Sequence, residues 1–108
     1  MAKLERTIQG DFFQLISKVV SEITEGSISA SLEGISDFRS GDARCSVRVF
    51  ERYSFTGSNR VSMSVTFFQN GNGPVQISAI TSGGSQAMFF KINTFGEEAF
   101  LEKLNEIL

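Results

Sequence analysis

Histidine is absent from the 108 residues. That removes the commonest general base, the commonest metal ligand and any Ser-His-Asp or Cys-His pair. A single cysteine, Cys45, excludes an internal disulfide. Its place in an alternating apolar run predicts a small buried hydrophobe rather than a nucleophile. Tryptophan is missing too, so the eleven phenylalanines are the main large core fillers. One proline leaves room for long uninterrupted elements. No segment approaches the ~20 apolar residues of a membrane span. The first six residues, Met1-Ala2-Lys3-Leu4-Glu5-Arg6, lack the apolar run of a signal peptide. A soluble cytoplasmic protein, with no membrane partner and no cofactor, is therefore expected.

What is present suits one domain covering residues 1–108. The hydrophobic share is 41% and the charged share 20%, ordinary for a globular chain able to fold without staples. The strongest pattern runs from Ala43 to Gln69. Ala43, Cys45, Val47 and Val49 alternate with Arg44, Ser46, Arg48 and Phe50. Beyond a turn at 54–59, Val61, Met63, Val65 and Phe67 alternate with Arg60, Ser62, Ser64 and Thr66. A period of two predicts a long β-hairpin with an aliphatic face and a face of hydroxyls and arginines. The aliphatic face is expected to lie under helices, with Glu51 and Tyr53 continuing its register.

Residues 2–9 alternate as a first strand. Asp11 followed by Gln14 forms a helix start, and Phe12, Leu15, Ile16, Val19, Val20 and Ile23 recur at helical spacing up to Gly26. Residues 27–32 alternate as a second strand. Residues 34–42 are expected to form a loop or long hairpin connection, with Ile35 and Phe38 tucked back under the sheet. Asn70-Gly71-Asn72-Gly73-Pro74 is a strong turn signal before a strand at 75–80. Residues 87–92 predict a sixth strand, apolar on both faces through Phe89 and Phe90. Thr94 and Glu97 form a capping box for a last helix with Phe100, Leu101, Leu104, Ile107 and Leu108 on one stripe.

The expectation is an α+β domain, a single curved antiparallel sheet of about six strands in the order β-α-β-β-β-β-β-α, with two helices on one face. That order resembles a reduced helix-grip fold or the related TBP-like (TATA-box-binding-like) arrangement. Gly83-Gly84-Ser85-Gln86-Ala87-Met88-Phe89-Phe90-Lys91-Ile92-Asn93-Thr94-Phe95-Gly96-Glu97-Glu98, together with Ala43-Arg44-Cys45-Ser46-Val47-Arg48-Val49-Phe50-Glu51-Arg52-Tyr53, resembles a family of short proteins from Gram-positive bacteria defined as a domain of unknown function. The resemblance spans nearly the whole chain. It implies a bacterial cytoplasmic source and brings no activity or site.

Five of the six arginines, Arg39, Arg44, Arg48, Arg52 and Arg60, fall between positions 39 and 60, whereas the acids gather on the helices. One reading is a solvated face that keeps the sheet soluble. The other is an anion- or partner-binding surface using Arg44, Arg48, Arg52 and Arg60 with Phe50, Phe68 and Phe89. Arginines among exposed aromatics suit single-stranded nucleic acid. A pI of about 5.1 and the lack of an RNA-recognition motif argue against it. A bulge that turns Phe50 into the core is the alternative. Gly83-Gly84-Ser85 precedes a strand in this reading, so it predicts a hairpin turn rather than a phosphate loop.

No constellation points to catalysis, so an enzyme is not expected. The function expected is a small non-enzymatic binding module for a small ligand, anionic if the arginines serve it, or for a protein partner. The alternatives are a self-associating protein, a homodimer covering Phe89 with its second copy, and a binder of nucleic acid or polyanions through the arginine-rich face.

Overall fold

A computed structural model of the chain describes residues 1–26, 29–53, 60–83 and 90–108. The elements are β1 (Ala2–Ile8), α1 (Phe12–Glu25), β2 (Ser31–Ser40), β3 (Ala43–Tyr53), β4 (Arg60–Asn70), β5 (Val75–Gly83) and α2 (Phe90–Ile107). Five strands form one antiparallel sheet in the order β1-β5-β4-β3-β2. The chain enters at one edge, crosses over through α1 to the far edge, and meanders back until β5 lies beside β1. Both helices pack on one face. Phe12, Ile16, Val19 and Ile23 of α1 share a core with Phe100, Leu101, Leu104 and Ile107 of α2 and with Met63, Val65, Phe67, Ile77 and Ala79 of the sheet.

α1 forms as its caps dictate. The Asp11 carboxylate accepts from the Gln14 N–H at 2.9 Å, and the Gly26 N–H closes the last turn on the Glu22 carbonyl at 2.9 Å. Gly26 is needed for close approach rather than for a left-handed φ. A Cβ there would lie 2.5 Å from the Glu22 carbonyl oxygen and 3.1 Å from Cε of Lys103 on α2.

Three expectations are corrected. The first concerns the segment 34–42, read as a loop, which is most of β2. Ile35 and Phe38 do not tuck under the sheet; they are 62% and 65% exposed. The register shifts between Leu32 and Gly34. This bulge puts Leu32 and Ile35, three apart, on one face and hides the period of two. The turn sits at Gly41, whose φ of 58° suits a two-residue hairpin connection with glycine first.

The second correction concerns strand number. Positions 87–89, including Phe89, lie outside the described residues, but Phe90 and Ile92 belong to α2, not to a sixth strand. A short apolar run is ambiguous between strand and helix until its neighbours decide. Thr94 consequently stands inside α2 rather than capping it. The Glu97 carboxylate bridges elements instead, accepting from the Gly83 N–H at 2.7 Å and pairing with the Met1 ammonium at 2.8 Å.

The third correction concerns β3. Its arginine face, not its aliphatic face, looks toward the helices. Arg48 pairs with Val65, Phe50 with Met63 and Arg52 with Val61, whereas Val47 pairs with Thr66 and Val49 with Ser64. Residues paired across a ladder share a face. Phe50 is therefore fully buried with no bulge on β3, while Ala43, Cys45, Val47, Val49, Glu51 and Tyr53 face outward. Six residues separate Tyr53 from its partner Arg60, so odd positions of β3 meet even positions of β4. Aligning the two aliphatic sets required the other parity, and a one-residue difference reverses every side chain.

Candidate functional site

The arginines share the helix-side face of β3, but each is occupied separately. Arg44, Arg48 and Arg52 recur every fourth residue, so neighbours in the series stand ~13 Å apart along the strand. The Arg44 guanidinium lies 5.6 Å from the Phe12 ring centroid and 5.3 Å from that of Phe13 at the start of α1. Arg52 stacks 4.6 Å over Phe100 of α2. Arg48 donates to Asp37 of β2 at 2.9 Å and to its neighbour's carbonyl, Val47, at 3.0 Å. Hydrogen bonds from Ser46 and from Arg48 hold the Asp37 carboxyl below its ordinary value. Burial pulls the Arg52 pKa down from its ordinary value. Guanidinium groups laid on aromatic rings close the flank of the core.

Arg60 stands on the opposite face. It pairs with Glu51 at 2.9 Å and lies 5.0 Å over the Tyr53 ring. Phe68 is there too, 39% exposed, away from the Arg44, Arg48 and Arg52 row and from Phe50. Of the expected site residues, then, three arginines and Phe50 share one face, Arg60 and Phe68 share the other, and Phe89 lies outside the described residues.

Two arginines keep unused capacity. Arg39 and Arg44 stand directly opposite each other on β2 and β3. Neither enters an ion pair among the described residues. The Arg44 Nε is buried with no acceptor. Like charges directly opposite across a ladder repel.

Among the described residues no helix covers the outer face of the sheet. The register aligns three rows across β2, β3, β4 and β5: Phe38, Cys45, Phe68 and Gln76; then Ser36, Val47, Thr66 and Ser78; then Gly34, Val49, Ser64 and Ile80. None of these positions is charged. Charged groups border the field instead: Lys3 and Glu5 on β1, and the Glu51 and Arg60 pair at one end. Phe38, Phe68 and Ile80 stand 65%, 39% and 43% exposed. Alternation alone hides this field, because it places Val47 and Val49 in the core and Phe38 in a loop. The signal was available in the absence of charge from alternate positions of all four strands.

A cleft of about 290 Å³ lies between the C-terminal end of α1 and α2, lined by Ser21, Glu22, Glu25, Gly26, Lys103 and Ile107. It is separate from both sheet faces. Among the described residues no group of three acidic, cysteine or histidine side chains is arranged to hold a metal. No described helix is long and apolar enough to cross a membrane.

Residues 1–108 match a family described as a family of unknown function (DUF6054), and the chain belongs to that family. Neither a curated protein nor a solved structure matches it.

Proposed function

We propose that this DUF6054 protein is a non-enzymatic protein-binding module that receives its partner on the outer face of the sheet. The observation that carries this reading is the uncharged field of β2, β3, β4 and β5, with Phe38, Phe68 and Ile80 standing out of it. A solvated sheet face is ordinarily studded with Lys, Glu and Arg, which keep it soluble and block misassociation. Interface cores are depleted of charge and rich in aromatics, with a polar rim. Five strands at ~4.8 Å spacing and about ten residues at ~3.4 Å give a face on the order of 800 Å², the contribution of one partner to a standard interface. The fold fits the same reading as a reduced helix-grip arrangement in which the space under the helices is packed and the sheet exterior is used. A cytoplasmic setting suits the free thiol of Cys45.

A photo-crosslinking residue placed at position 68 tests it in cells, with position 13 on α1 as the control. One discrete adduct from position 68, absent from position 13 and abolished by Ile80→Glu, supports the reading. Equal adducts from both positions, or none from position 68, overturn it.

The unmet charge of Arg39 and the unpartnered Nε of Arg44 favour a second reading, a small anion held at that corner. Phosphate or a short polyanion would then raise the melting temperature, with the effect lost in salt and in Arg44→Gln. A row of arginines this widely spaced does not suit a nucleic-acid track.

A further inference from the structure

We propose that two copies of this chain join edge to edge through β2, antiparallel, about a two-fold axis at Phe38, giving one continuous sheet with five strands from each copy. The inference goes beyond the outer-face reading and uses the backbone edge of β2, sharing only Phe38 with that face.

Among the described residues β2 is an edge strand, with β3 on one side only. Its two-residue connection makes Ser40 and Ala43 a hydrogen-bonded pair, as in any turn closed from residue i to i+3. Bonded and non-bonded pairs alternate from there. Ile35, Asp37 and Arg39 therefore direct their N–H and C=O away from β3, toward open solvent. Every residue from Ile35 to Ser40 is exposed. An edge of this kind is a template for another strand unless it is guarded. The other edge, β1, carries Lys3, Glu5 and Arg6, and Arg6 is tied to Asn105 of α2. β2 has its bulge at the far end, near Glu33, and keeps the 35–40 stretch in unbroken register with β3.

The sequence of that stretch selects a second copy as occupant. In an antiparallel pair centred on Phe38, Asp37 of each copy meets Arg39 of the other, twice by symmetry. Both residues have outward-directed backbone groups, so the alternation is satisfied. The Asp37 carboxylate, already held by Arg48 on one side, would receive Arg39 of the second copy on the other. Arg39, set against Arg44 within its own chain, would gain the counter-charge it lacks. Phe38 would meet Phe38 in a non-bonded pair, where side chains come closest. Centring on Asp37 instead would set Asp37 against Asp37. The junction buries less than the ~1,200 Å² of standard interfaces, so a weak dimer in the tens of micromolar range is expected.

Sedimentation equilibrium of the wild-type chain from ~10 µM to ~1 mM is the first measurement. Reversible dimerisation supports the proposal, and a monomer throughout overturns it. Arg39→Asp removes the pairing charge yet places an acid opposite Arg44, so the monomer stays folded; a dissociation constant raised at least tenfold is expected, and an unchanged one overturns the proposal. Phe68→Glu separates this junction from the outer face: the edge dimer survives it, and its loss in that variant assigns the dimer to the face. Register is read by disulfide formation in a Cys45→Ala background, which removes the cysteine beside position 38. Phe38→Cys cross-links to itself, its Cα atoms about 4.5 Å apart in such a pair. Self-linking of Ser36→Cys without linking of Phe38→Cys overturns the register.

Discussion

The Arg52 guanidinium lies 4.6 Å from the centroid of the Phe100 ring, and that ring is completely buried. A cation on β3 thus closes the core over a residue of α2, joining the last helix to a strand that is not its neighbour in the chain. Partial burial of the charge strengthens the attraction to the ring face, and the aliphatic stem covers apolar surface at the same time. Arg52→Ala is expected to lower stability by about 1–2 kcal/mol. Arg52→Met keeps most of the stem and isolates the contribution of the charge. Urea midpoints at constant slope measure both, and a neutral Arg52→Ala would show that the contact carries no stability.

Asp37 supplies a pH dependence with a definite sign. Ser46 and Arg48 hold its carboxyl below the ordinary value of 3.8. A group whose folded pKa is depressed adds stability above its unfolded pKa and loses it as pH falls through the folded value. The wild-type chain should therefore melt above Asp37→Asn at pH 7, with the gap narrowing below about pH 4 and closing as Asp37 takes up its proton. Thermal melts of both chains across that range check it; a gap that persists at pH 2 would point to a cause other than the carboxylate charge. The residue is largely exposed, so the effect is a modest shift of the acid limb.

Much of the architecture was legible in the residues. The Asp11 cap, the α1 stripe and the four-residue turn before β5 follow from period and capping, and the placement of both helices on one face from the packing of one-sided helices on a one-sided sheet. What misled the reading was local. A bulge at Glu33 disguised β2 beyond Leu32, and the run Phe90-Lys91-Ile92 fits either period. The orientation of β3 was harder. Alternation separates Val47 from Arg48 but cannot say which faces the helices. That choice rests on register with β4, set by how many residues lie between Tyr53 and Arg60. The arginine face is buried at Phe50 and Ser46 and sealed by stems, an arrangement a hydropathy pattern reads as solvent-facing. The candidate site followed from that one choice, because the outer field exists only if Val47 and Val49 are on it.

Glu97 offers a test of how β5 and α2 are held together. Its side chain is 7% exposed and accepts from the Gly83 N–H at 2.7 Å. Glu97→Ala leaves that backbone donor with no partner in a protected place and is expected to cost about 1–3 kcal/mol. Glu97→Gln keeps an acceptor oxygen and should recover part of the loss. Amide exchange at Gly83 reports the bond directly: faster exchange in Glu97→Ala than in Glu97→Gln is expected, and equal rates would show that the carboxylate does not protect it.

Val47 and Val65 lie on adjacent strands with opposite fates. Val65 is completely buried beneath the helices, whereas Val47 is half-buried on the outer face. Both are valines in central strands, so the intrinsic strand preference lost on truncation is similar and the difference isolates burial. Val65→Ala is expected to cost about 1.5–3 kcal/mol, the worth of a fully buried valine side chain, and Val47→Ala less than about 1 kcal/mol. Val47→Ser should also be tolerated, since Ser and Thr already flank it at Ser36 and Thr66. Val65→Ser would bury a hydroxyl among apolar groups and cost more than Val65→Ala. Denaturant midpoints for the four variants decide the orientation of β3. Equal costs at the two positions, or a larger cost at Val47, would return the aliphatic face to the core and remove the uncharged outer field on which partner binding rests.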